Sequence, residues 1–154
     1  MQNNKYVKAD NLYYFVRTEK GLSRDKACKL FERISPDRLE RIENGKVLPN
    51  PEEIMELAEK YGEPNIRNYY CANQCPMGRN YVSEVENLDL SQATLQIIAQ
   101  INKISSYKDR LIEIASKGHV TEGYSEEFDM ITSELEELQN AIDSLILWKE
   151  KNED

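Results

Sequence analysis

Two arginines, Arg38 and Arg41, stand three apart in the stretch SPDRLERIENGKVLPNPEEI, residues 35–54. On a helix that spacing puts both on one face. Each guanidinium is a planar fork of donors that can grip a phosphate or the two acceptors on a guanine edge. Asn44 and Lys46 follow where that helix would end, and Ser23 and Arg24 stand where an earlier one would start. Amides, hydroxyls and cations at helix ends suit phosphate oxygens. The chemistry on offer is polyanion binding rather than bond-making. No Ser/His/Asp set, Gly-rich phosphate loop or HExxH pattern occurs. The carboxylates Glu126, Glu127, Asp129, Glu134, Glu136 and Glu137 read as the solvated side of the last helix. No enzyme is expected.

Three cysteines offer a second chemistry. Cys71 and Cys75 are four apart on an expected helix, so both thiols share a face. A closed zinc site needs four ligands. Cys28 could supply a third, but the one histidine, His119, lies in a loop far along the chain. The three read instead as reduced, small, mostly packed side chains. No metal or cofactor is expected.

The elements that must position the basic residues are short helices with clear start signals. Asp10 is expected to cap a helix carrying Leu12, Phe15 and Val16, ending near Lys20-Gly21. Ser23 caps a second, roughly residues 24–31, burying Ala27, Cys28 and Phe31. Ser35 with Pro36 opens the third, which buries Leu39 and Ile42 and stops at Gly45. Asn50-Pro51 with Glu53 opens the fourth, with Ile54, Leu57, Ala58 and Tyr61 inward. A fifth carries Ile66, Tyr69 and Tyr70 and breaks near Cys75-Pro76.

The second half has longer periods. Ser91 is expected to cap a segment reaching about Lys117, with Leu90, Ile97, Ile104 and Leu111 seven apart. Ser125 is expected to cap another, carrying Phe128, Ile131, Leu135, Leu138, Ile142 and Leu145 at alternating three and four. The connection between them is short, so they read as an antiparallel hairpin. Ile98, Ile112, Ile146, Leu147 and Trp148 fall off this seam and are expected to stay partly exposed on a lone hairpin, covered either by the N-terminal domain or, the favoured reading, by a second hairpin in a four-helix bundle.

Charge divides the same way. The chain of 154 residues has a formal net charge of −8. Residues 1–80 hold 14 Lys+Arg against 12 Asp+Glu, and residues 81–154 hold 6 against 16. Only the first half could tolerate phosphates. No apolar run is long enough for a membrane span, and the N-terminus has no apolar signal segment. A soluble, cytoplasmic protein is expected.

The stretch LSRDKACKLF…ISPDRLERIENGKVLPNPEEIMELAEKYG, within residues 9–75, resembles the lambda-repressor/Cro-type helix-turn-helix family. The resemblance implies an all-α fold in which the helix at about 35–44 enters the major groove. It puts Pro36, Asp37, Arg38 and Arg41 on the exposed, base-reading side of that helix; because Asp37 could pair with Arg41, Arg38 is the foremost candidate to grip a guanine. It puts Ser23, Arg24, Asn44 and Lys46 on phosphates. Two features depart from the family's pattern. The turn Glu32-Arg33-Ile34 is one residue longer than the usual Gly-containing turn, and Pro36-Asp37 replaces small or amide residues. Asp37 and Arg41 are also spaced to pair with each other.

The expected organisation is a five-helix DNA-binding domain at 1–78, a junction at 79–89 and a helical hairpin at 90–154. The expected function is sequence-specific binding of double-stranded DNA in transcriptional regulation, by a homodimer joined through the hairpin. The rival is the same fold used as a protein-interaction module, with a protein partner and no DNA binding.

Overall fold

A computed structural model describes residues 11–120 and 122–153. Among these residues there is no strand. The chain divides into two compact units, Met1–Glu84 and Val85–Asp154.

The first unit contains α1 (Leu12–Glu19), α2 (Arg24–Cys28), α3 (Pro36–Glu43), α4 (Pro51–Tyr61) and α5 (Asn65–Asn73). Ser23, Ser35 and Asn50 each accept a backbone N–H three residues on, satisfying donors that a helix start leaves orphaned. At Asn50 the Glu53 carboxylate returns to the Asn50 N–H at 2.8 Å, closing a capping box. Gly45 takes φ +66°, which lets the chain reverse after α3 at little cost. Leu12, Tyr13, Val16, Ala27, Phe31, Ile34, Leu39, Ile42, Leu57, Tyr61 and Ile66 are all in the single core. Tyr13 packs edge-on to Tyr69 and donates its hydroxyl to Gln74.

Three expectations change here. Asn11, not Asp10, caps α1, taking the Tyr13 N–H on its side chain; Asp10 lies outside the described residues. Helix α2 stops at Cys28 instead of reaching 31, because Leu30 and Phe31 bond to carbonyls three back and tighten the chain into turns. Cys28 is half-buried, not buried.

The second unit contains α6 (Leu90–Ser106), α7 (Lys108–Ser116) and α8 (Ser125–Asn152). Lys103 pairs with Glu134, and Arg110 with Glu127. Seven residues forward on one side match seven backward on the other, so α8 runs antiparallel to α6. The expected single segment to about Lys117 is broken at Tyr107, which ends α6 and starts α7 with ψ 0°. Its start is capped by Asp89 with Gln92, not by Ser91. Ser125 is the first residue of α8, and the capping position before it is Tyr124, which makes no side-chain cap.

The seam also differs. Ala93, Ile131 and Ala141 are buried on it, while the expected seam residues Leu90, Leu135 and Ile142 are exposed. Leu147, expected to stay partly exposed, is buried.

Candidate nucleic-acid interface

Helix α3 is held on its inner side by apolar burial and by one carboxylate. Leu39 and Ile42 are fully buried. Glu43 follows them inward, its side chain wholly removed from solvent. Arg17 of α1 meets it with two nitrogens, at 2.5 and 2.9 Å, and caps the Leu22 carbonyl with a third at 2.6 Å. Arg24 of α2 adds a bond to the same carboxylate at 2.8 Å. A buried carboxylate without cations would be expensive, and here two guanidinium groups from two helices satisfy it. Asn11 binds the Ile42 carbonyl at 2.6 Å. These bonds tie α1, α2 and α3 together and fix which side of α3 faces out.

The turn between α2 and α3 is braced from α4. Glu56, buried, accepts the Glu32 N–H at 2.5 Å and the Arg33 N–H at 3.3 Å. The two oxygens take over the backbone donors of a turn that has no glycine. This contact joins residues 23 and more positions apart, so no local pattern announces it.

The eight expected contact residues do not share one fate. Pro36, Asp37, Arg41, Asn44 and Lys46 are exposed on α3 and the turn after it. Ser23 is exposed at the start of α2, but its hydroxyl already accepts the Lys26 N–H. Arg24 is a third exposed and bound to Glu43, with Glu40 at 3.8 Å. Arg38, expected foremost among base readers, is turned back toward the N-terminus of α4. Its guanidinium donates to both Glu53 oxygens, at 2.7 and 2.8 Å, and to the Leu48 carbonyl at 3.1 Å. The guanidinium beside Glu53 holds that carboxyl below its usual range. Three hydrogen bonds thus hold this side chain, which remains 30% exposed.

Arg41 differs. Its side chain makes no hydrogen bond or ion pair among the described residues, with Asp37 included. Lys46 is similarly unengaged and sits one residue beyond Gly45. Sequence reasoning did not single out Arg33, which is also exposed; the lengthened turn that carries it was the available signal.

The cysteines form no such constellation. Cys28, Cys71 and Cys75 are free, half-buried thiols, and burial pushes the Cys28 thiol up. Among the described residues no three His, Cys, Asp or Glu side chains converge as metal ligands.

Two capped helices, the second stiffly braced and exposing Pro36, Asp37 and Arg41, are the parts of a helix-turn-helix. Residues 15–64 match the helix-turn-helix family model. The N-terminal part of the chain is thus a helix-turn-helix domain of the lambda-repressor/Cro type. This family is one of DNA-binding regulators. No curated protein and no solved structure matches the chain. The helix-turn-helix match ends at residue 64, so α5 and the whole second unit lie outside it. Among the described residues no helix is long and apolar enough to cross a membrane.

Proposed function

We propose that this protein is a cytoplasmic, sequence-specific DNA-binding regulator whose α3 lies in the major groove and reads bases chiefly through Arg41. The observation that carries this reading is the exposed Arg41 side chain, unengaged among the described residues, on a helix pinned from behind by Glu43. A rigid helix presenting a free guanidinium matches the width of the groove and the two acceptors of guanine. Arg38 acts from within, setting α4 against α3. Lys46, Asn44 and the start of α2 hold the phosphate backbone. Arg24 serves there only to the extent that it can turn one nitrogen outward while Glu43 keeps another. The homodimer, with one domain per half-site, doubles these few contacts.

The rival reading, an interaction module without DNA activity, has its own support. Asp37 and Glu40 are exposed on the same helix, and two of the expected cations are spent on internal carboxylates. Selection of bound fragments from random duplex DNA, followed by titration at rising salt, separates the two. The DNA-binding reading requires an enriched motif and an affinity that falls steeply with salt. Absence of binding at low salt leaves the rival.

A further inference from the structure

An apolar strip runs along one side of the hairpin formed by α6 and α8. Leu90, Ile98 and Ile101 of α6 and Leu135, Ile142 and Ile146 of α8 are each 40% or more exposed. The inward line of α6 runs through Ala93, Ile97, Gln100 and Ile104. At about 100° per residue, Leu90, Ile98 and Ile101 are all rotated from that line in the same sense. Lys103, which bonds Glu134, is rotated the other way. On α8, Leu135, Ile142 and Ile146 are rotated from their inward line in that same sense. Two antiparallel helices that face each other bring equal senses of rotation to the same side. The six side chains therefore make one surface.

That surface is also nearly uncharged on α6. The helix LSQATLQIIAQINKISS holds one ionisable side chain, Lys103, in 17 residues. In a chain with 31% charged residues, an exposed helix of this composition is not built for water.

We propose that a second copy of this chain covers the strip, placing its α6 on this α8 and its α8 on this α6 to form a four-helix bundle. Charge selects the pairing. Glu136, Asp143 and Glu150 flank the strip on α8, so α8 against α8 would set like charges side by side. Neutral α6 against α8 avoids this, and a two-fold axis makes the contact twice. Area sets the scale of the contact. The strip runs eleven residues along each helix, about 17 Å at 1.5 Å per residue, and is roughly 20 Å wide across two helices packed about 10 Å apart. Two copies would bury about 700 Å² through the strip alone, and the residues along its edges carry the contact toward the about 1,000 Å² of a specific interface. This proposal names the face of the dimer invoked above and rests on that reading for its purpose, but its test uses no DNA.

Sedimentation equilibrium of the full chain, without DNA, reads the assembly. The expected result is twice the chain mass at micromolar concentration. Ile101→Glu and Leu135→Glu should each return the chain mass with helical circular dichroism retained. Leu95→Glu, exposed on α6 away from the strip, should leave the dimer intact. Should Ile101→Glu unfold the hairpin, Ile98→Gln and Ile142→Gln give the same reading more gently, each raising the dissociation constant at least tenfold. A wild-type chain that stays monomeric at tens of micromolar overturns the proposal, as does a dimer that survives all the strip variants. A dimer that binds no DNA leaves this inference standing and removes the proposed function; a monomer that binds DNA does the reverse.

Discussion

Arg38 and Glu53 bind each other side by side, Nε to Oε1 at 2.7 Å and Nη2 to Oε2 at 2.8 Å, and the same Glu53 closes the capping box of α4. One carboxylate thereby joins α3 to the start of α4. The pairing changes what each arginine of α3 can do, and it separates stability from recognition in ways that can be measured.

Stability should fall in acid partly through this pair. The Arg38 hydrogen bonds hold the Glu53 carboxyl below its ordinary 4.5. The unfolded chain therefore takes up the proton more readily than the folded one. The contribution is fully present above about pH 4.5 and is lost as pH falls through the depressed folded value. Arg38→Met should lower stability by about 1 kcal/mol near neutrality and flatten the acid limb. Thermal unfolding from pH 3 to 7, compared with the unchanged chain, checks both.

Recognition should depend on the other arginine. Arg41→Ala should relax preference at one base pair per half-site, by about 1–3 kcal/mol of discrimination. Lys46→Ala should weaken all sequences alike and reduce the salt slope by about 1. Arg38→Met should leave the selected motif unchanged. Competition binding with single-base operator variants distinguishes the three, and a motif lost with Arg38 instead of Arg41 reverses the assignment.

Glu43 should be the costliest single position in the domain. Glu43→Ala strands the buried Arg17 guanidinium, with its side chain 7% exposed, and releases Arg24. A loss of about 3–5 kcal/mol is expected. Arg24→Ala should cost far less, because Arg17 still satisfies the carboxylate. Urea unfolding of the two variants checks the order.

The turn before α3 should answer to a residue on α4. Glu56→Ala leaves the Glu32 and Arg33 amides without their acceptor and should destabilise by about 1–2 kcal/mol. Glu56→Gln keeps one acceptor oxygen and should recover part of it. Amide hydrogen exchange at residues 32 and 33 should speed up in the alanine variant.

Gly78 should tolerate no side chain. A Cβ there would meet the Cys71 carbonyl oxygen at 2.2 Å, a backbone atom that cannot swing aside. Gly78→Ala should cost about 1–3 kcal/mol through forced displacement after α5, read as a lowered unfolding midpoint.

The starts of α2, α3 and α4, the reversal at Gly45 and the inward set Leu39, Ile42, Ile54 and Leu57 were legible in the residues themselves. These features depend on hydrogen bonds and periodicities that span four residues or fewer. Local patterns fail where two nearby residues compete for one role, as with Asp89 over Ser91, or where a period of seven does not mark the buried line, leaving Leu90 and Ile142 outside. Tertiary packing alone decided which cations are free. Arg38 and Arg41 look equivalent along the helix, but α4 brings Glu53 to the first, and nothing among the described residues reaches the second. The distinction lies in carboxylates that arrive from 15 to 26 positions away, at Glu53 for Arg38 and Glu43 for Arg17. Such pairs form only after apolar burial has set the helices against one another, so no short stretch of sequence contains them.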